Sequence, residues 1–376
     1  MTVVRNPGLA VGTAWTAAAV DGGAGEPVPS PEVLDGRFLA ELPVGGPAGD
    51  GARLGELGGA GVVAVPDHWL HAGARGALER ERLAGLLGSP LFVGHGEAAV
   101  AGGEGPALVC EVGPEAVCAT LCLAEGGEVG VLDSECAHVD GYERRLAGGE
   151  RFVPALRRQL LERPERAELV LVRARTLDRY RATPVYEPGL TAGQVLDCFE
   201  PVATALRDTV ATLLARRPER ELDVVVCGLG VPPLTRAAVL EGVAAAGARA
   251  CGVREAGAAT VAQGAALIAA GAVRVRGPEG IRVRLPARRI VGGRLRSWDI
   301  PLPAGGQGVE VVSDGRALEV ESASGTPLPV QGPPMPAGRV IVTYWPNRRD
   351  GGVVVVRQDE DGPALAYVVE EQRGHG

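Results

Sequence analysis

Thr191–Ala215 (TAGQVLDCFEPVATALRDTVATLLA), followed shortly by Asp223–Gly230 (DVVVCGLG), is the stretch on which the fold is read. Thr191 has the hydroxyl of an N-cap, and Leu, Val and Ala recur after it at helical intervals. The Val224–Cys227 run is short, apolar and β-branched, so it predicts a buried strand ending in a glycine turn. Working outward, helical runs follow at Leu234–Ala246 and Ala258–Ala270. Upstream, Gly8–Val20 reads as strand, tight glycine turn and second strand, closed by the Asp21-Gly22-Gly23 turn signal. Val62–Pro66 is a short buried strand, and Ala72–Leu87 has helical spacing with charges at Arg75, Glu79, Arg80, Glu81 and Arg82. A second apolar hairpin spans Ala107–Gly113 and Glu115–Leu123, and Glu128–Cys136 continues as a strand. Strands alternate with helices up to Gly271. Beyond it helical periodicity stops, and Val/Ile-rich alternating runs recur between Gly and Pro breaks, which predicts a separate β-rich module.

The 376 residues suffice for more than one packed unit. Aromatic residues are only 3% of the chain, so Ala, Val and Leu must build the core. All 38 basic residues are Arg, which excludes any mechanism needing a lysine base or phosphate clamp. A net charge of −8 argues against nucleic acid or an anionic membrane as a partner. No apolar stretch reaches membrane-spanning length unbroken and no signal-peptide pattern opens the chain, so a cytoplasmic location is expected. Seven cysteines, an odd number without CxxC spacing, are expected as reduced core thiols with no zinc site.

In order and spacing, the pieces from Gly8 to about Gly271 resemble the nucleotide-binding domain of the DnaK-type heat-shock chaperones, within the actin and sugar-kinase superfamily. Gly8–Val20 resembles that family's first phosphate loop, Leu108–Cys122 the second, and Gly94–Ala101 and Ala259–Ala266 its two connecting helices. Thr191–Ala215 with Val224–Leu234 is similar to the helix, strand and adenosine turn. The resemblance implies an α/β, two-lobed actin-like ATPase fold with a smaller C-terminal β-rich domain. The lobes are expected over 1–143 and 144–271, the second trimmed between Glu143 and Pro188, with the β-rich domain over 272–376.

The family's chemistry uses carboxylates that hold Mg²⁺ through water, and glycines, Thr and Lys that neutralise phosphate. In this sequence the first acid position is Ala10, the connecting-helix acid falls at His95, and the second-loop acid falls at Glu111. The second glycine turn becomes Gly113-Pro114-Glu115-Ala116. Pro114 lacks an N–H, and an inward Glu115 carboxylate about 4–5 Å from a phosphate costs on the order of several kcal/mol. Glu111 and His95 are therefore catalytic candidates only if the protein is an active ATPase. His95 reads either as a substitute base in the cleft or as a residue capping a helix start.

If ATP or ADP binds, with Mg²⁺ accompanying it, the expected contacts are Gly12, Thr13, Gly113, Gly228, Gly230 and Arg236. Each has a plainer reading: the glycines complete turns, and Arg236 is a solvated helix residue. Asp133 and Glu135 read as charged turn residues. The function expected is a degenerate binding or scaffold protein of chaperone-ATPase ancestry, with impaired or absent ATP hydrolysis, that meets a protein partner through its β-rich domain. An active ATP-dependent chaperone, and an accessory factor of a secretion or cell-envelope machine such as type VII secretion, are the alternatives.

Overall fold

The computed structural model describes residues 7–12, 15–20, 23–31, 34–45, 52–71, 73–88, 90–113, 116–139, 164–186, 190–217, 219, 221–228, 232–276, 283–291, 294–302, 305, 308–322, 325–348, 351–358 and 362–370. The chain divides into two compact units, residues 1–67 with 93–276, and residues 68–92 with 277–376.

In the first unit, the hairpin β1 (Gly8–Val11) and β2 (Trp15–Val20) is joined by β3 (Gly23–Ala24), and β4 (Val28–Pro29) and β5 (Val44–Gly45), with α1 (Gly36–Glu41) between them in the chain, also pair with β2. Next, β6 (Val62–Val65) pairs parallel to β1. After α2 (Ala74–Leu87), which belongs to the second unit, β7 (Leu91–Gly94) completes the sheet order β3-β2-β1-β6-β7. The short helix α3 (His95–Val100) leads to a second sheet that begins with β8 (Gly105–Val112), β9 (Ala116–Glu125) and β10 (Glu128–His138). Helix α4 (Pro164–Ala174), the small pair β11 (Pro184–Tyr186) and β12 (Leu190–Thr191), and α5 (Ala192–Ala215) follow. Then come β13 (Glu221–Gly228), α6 (Pro232–Ala245), β14 (Arg249–Ala256), α7 (Ala258–Ala269) and β15 (Arg274–Arg276).

The second sheet runs β14-β13-β8-β9-β10-β15. With the short strands β4 and β5, which pair with β2, and β15, which pairs with β10, left aside, each sheet numbered within its own half has the order 3-2-1-4-5: three antiparallel strands, then a crossover to a fourth strand parallel to the first. The fold is thus a duplication. Each half ends in a helix that packs against the other half's sheet, α3 on β8 and β9, and α7 on β1, β2 and β6. Their shared core is Ala- and Val-rich and runs through Ala10, Ala17, Ala64, Ala98, Val109, Cys122 and Ala262. Small side chains are what let two helices fit between two sheets. Thr191 caps α5 as its sequence predicts, its Oγ1 accepting from the Gln194 N–H at 3.3 Å while Gln194 accepts from the Thr191 N–H at 2.9 Å. Buried Val195, Phe199, Val202, Leu206 and Val210 lie along one face of α5, against the outer side of the second sheet.

The expectation of reduced thiols fails at one pair. Cys118 and Cys136 face each other across β9 and β10 and form a disulfide, with Cα atoms 4.2 Å apart. The other five cysteines form no disulfide. A thiol titration of unreduced, denatured protein should find those five, rising to seven after reduction; seven before reduction would exclude the bridge.

The second unit is a nine-stranded sheet built from β16 (Val283–Val291), β17 (Arg294–Leu302), β18 (Val309–Asp314), β19 (Val320–Glu321), β20 (Pro327–Leu328), β21 (Val330–Gln331), β22 (Ala337–Pro346), β23 (Gly352–Arg357) and β24 (Leu365–Val369). Helix α2 covers part of it, with Ala77 and Ala84 against Trp345, Val353 and Val355. Buried Glu81 accepts from Thr343 Oγ1 and Trp345 Nε1, both at 2.7 Å, and pairs with Arg357 at 2.6 Å. Arg80 lies over the Trp345 ring at 5.2 Å. Burial, helped by the charge of Arg348, lowers its pKa to about 10.

Candidate functional site

One buried polar cluster joins the two halves of the first unit. His95 opens α3, and its Nδ1 lies 2.7 Å from Glu111 Oε1 on β8, while its Nε2 lies 2.9 Å from the Val11 carbonyl oxygen at the end of β1. The other Glu111 oxygen accepts from the Asp67 N–H at 2.6 Å. The Asp67 carboxylate in turn accepts from the Gly96 N–H at 3.2 Å and from Thr120 Oγ1 on β9 at 2.7 Å. Glu97 caps the start of α3 by accepting from the Gly94 N–H at 2.8 Å. His95, Asp67, Glu97, Glu111 and Thr120 are all buried.

The chemistry of the partners fixes the imidazole. The Val11 carbonyl oxygen can only accept, so Nε2 donates to it, and an imidazolium donates through Nδ1 to the Glu111 carboxylate as well. Burial pulls the His95 pKa down, but the charge of Glu111 and its hydrogen bond, the charge of Asp67 and the Val11 carbonyl together outweigh it and hold the pKa above its ordinary value. A low-dielectric site strengthens that ion pair and penalises loss of either member.

The structure draws several of the sequence-predicted residues around this cluster. Gly12 follows Val11, Gly113 comes two residues after Glu111, and Gly228 on β13 lies in register with Val112 on β8. The Gly12 and Gly113 N–H groups are used in closing their own hairpins, donating to Trp15 O at 3.1 Å and Ala116 O at 2.8 Å. Ser30 Oγ donates to the Gly12 carbonyl at 2.7 Å. Gly228 has φ +85°, and a Cβ there would stand 2.3 Å from the Val112 carbonyl oxygen, so close strand packing alone requires glycine. Arg236 is exposed on α6. Thr13, Pro114, Glu115 and Gly230 lie outside the described residues.

Two readings are corrected. The His95 side chain caps nothing; the N-cap of α3 is Gly94. Asp133 and Glu135 are strand residues of β10, paired with Arg216 at the end of α5 at 3.2 and 2.6 Å. Sequence reasoning passed over Asp67 and Thr120. The available signal for Asp67 was a lone carboxylate directly after the buried strand β6 and Pro66.

These residues do not fit a Mg²⁺ ion. Mg²⁺ takes a near-octahedral shell of oxygens. At position 10 there is a methyl group, at position 95 a cation without a free lone pair, and both Glu111 oxygens already accept hydrogen bonds. Among the described residues no group of three or more His, Cys, Asp or Glu side chains is arranged to hold a metal.

No family model matches the chain, and no curated protein sequence matches it. Among solved structures, the ethanolamine utilization protein EutJ from Carboxydothermus hydrogenoformans is similar, at 16% identity over 70% of this chain and 89% of that one, with a TM-score of 0.38. A likeness of this size says nothing about ligand or activity. The duplicated 3-2-1-4-5 sheets with exchanged terminal helices define the class on their own: this is a two-lobed, actin-like α/β fold. It carries a second, β-rich unit, and among its described residues no helix is long and apolar enough to cross a membrane.

Proposed function

We propose that the protein is a degenerate member of the actin-like ATPases, resembling the DnaK-type chaperones, that acts as a binding or scaffold module and does not turn over ATP. The observation that carries this reading is the closed His95–Glu111–Asp67 cluster. The one cleft carboxylate that the sequence retains in the family position is spent on an internal cation instead of on metal-bound water. With Ala10 at the first acid position and no lysine in the chain, the charge stabilisation that phosphoryl transfer depends on is missing at several points. Losses of even about 2–3 kcal/mol each would remove several orders of magnitude of rate, although such losses need not add. A protein partner meets the β-rich unit.

Steady-state phosphate release with Mg-ATP tests the reading, run beside a variant carrying Ala10→Asp, His95→Glu and Glu115→Gly. Wild-type release should equal the no-enzyme background. Turnover typical of a working ATPase, abolished by Glu111→Ala, would overturn the proposal and make Glu111 the centre of a mechanism.

A further inference from the structure

The β-rich unit buries a cation for which the described residues supply no matching anion. Arg80, in the middle of α2, is 3% exposed. Its Nε donates to the Gly76 carbonyl at 3.3 Å and its Cζ lies 5.2 Å from the centre of the Trp345 ring, but its Nη2 is buried without a hydrogen-bond partner. The acids beside it on the helix are committed elsewhere. Glu81 is held by Arg357, Thr343 and Trp345, and Glu79 pairs with Arg82 at 2.9 Å. The charge that Arg80 does feel is a second cation, Arg348, which adds to burial in lowering its pKa. The backbone places that neighbour. The Arg348 N–H donates to the Leu70 carbonyl at 2.9 Å, just ahead of α2, and the residue is half-buried, so the site reaches the surface there.

A second unpaired polar atom lies on the same face. The Asn347 N–H donates to the Gly351 carbonyl at 3.1 Å, one step past the Pro346–Gly352 pair, so the alternation of β22 continues through it. Thr343, Trp345 and Asn347 therefore share the face that α2 covers. Asn347 is 8% exposed, and its Oδ1 is also buried without a partner. Buried polar atoms nearly always have partners, so an orphan donor and an orphan acceptor beside one tryptophan call for a shared one. A water molecule could bridge them, yet it would leave two neighbouring guanidinium groups unneutralised.

We propose that Arg80, Arg348 and Asn347 form a binding site for a hydrogen phosphate group, free or carried by a small metabolite, which accepts from both guanidinium groups and donates its O–H to Asn347 Oδ1. This goes beyond the scaffold reading and does not depend on it. Charge and hydrogen-bonding capacity select the ligand. Two arginines match a dianion better than a monocarboxylate, and the guanidinium fork fits phosphate oxygens. Carboxylate and sulfate ions carry no proton at neutral pH with which to satisfy Asn347. A nucleic acid is disfavoured by the net charge of −8.

The test is isothermal titration calorimetry of the full-length protein with inorganic phosphate and, in a second arm, phenyl phosphate, with sulfate and acetate as controls at matched ionic strength. Saturable binding of at least one of the two phosphates is expected, and the tighter of them tells whether the group arrives free or on a larger molecule. Arg80→Gln and Arg348→Gln should each weaken binding by about tenfold or more, and so should replacing phosphate by sulfate. Thermal melts separate binding from structure. Because it removes one of two like charges, Arg348→Gln should leave the unliganded melt unchanged or higher while shrinking the rise that phosphate produces. A purely structural arginine would lower the melt and leave that rise intact. The proposal fails if neither phosphate binds, or if sulfate or acetate binds as tightly. It also fails if binding survives Arg348→Gln, which would mark an adventitious ion only. That variant decides even if Arg80→Gln does not fold.

Discussion

His95→Ala should destabilise the first unit by about 3–5 kcal/mol, because it strands the buried Glu111 carboxylate without its cation. The same substitution leaves the Val11 carbonyl without its donor, and so loosens β1 from α3 as well as α3 from β8. The imidazolium also dictates a pH dependence. Its folded pKa lies above the unfolded value of about 6.5. Its contribution is therefore complete below about pH 6.5 and is lost as pH rises through the folded value. Hydrogen exchange of the α3 and β8 amides, followed across that range, should show protection falling as pH rises once the intrinsic exchange rate is removed. His95→Gln, which can still donate but cannot charge, should flatten the profile while recovering part of the stability. Wild-type and His95→Ala proteins of equal stability, or a wild-type profile as flat as that of His95→Gln, would show that the cluster contributes nothing.

The parts of the fold that depend on local chemistry were legible in the sequence, and the parts that depend on register were not. The N-cap at Thr191, the glycine-turned hairpin from Gly8 and the buried run Val224–Cys227 each follow from a few adjacent residues. The Cys118–Cys136 bridge does not, because the pairing of β9 with β10 shifts at an irregularity between Val131 and Asp133 that no residue type announces. Helix α2 could be read from its spacing, yet its allegiance could not. The residues that bury Glu81 are Thr343, Trp345 and Arg357, more than 250 positions away. His95 and Glu111 were identified as occupying two acid positions, but as separate candidates. That one neutralises the other became apparent only when α3 was laid on β8.

Gly264→Val should be the most disruptive single substitution in the duplicated core. Gly264 lies mid-helix in α7, where glycine costs about 1 kcal/mol relative to alanine, so local propensity favours replacing it. Packing decides the opposite. A Cβ at this position would stand 1.8 Å from the Ala98 carbonyl oxygen on α3, far inside any real contact, and the obstacle is backbone, which has no rotamer to yield. Relief requires α3 and α7 to separate, and α7 is pinned on its other side: a Cβ at Gly8 of β1 would stand 2.1 Å from the Ala266 backbone nitrogen. Moving α3 would in turn pull His95 from Glu111 and Val11. Overpacking commonly costs about 1–3 kcal/mol, and here a backbone clash is added to a broken buried ion pair, so a loss of at least about 4 kcal/mol is expected. Gly85→Ala provides the contrast, since a Cβ on that exposed face of α2 meets nothing within 4 Å and should stabilise by about 0.5–1 kcal/mol. Urea denaturation of the two variants beside wild type makes the comparison. A Gly264→Val protein with an unshifted midpoint would mean that the two terminal helices are not in contact, and the exchange of helices between the halves would have to be abandoned.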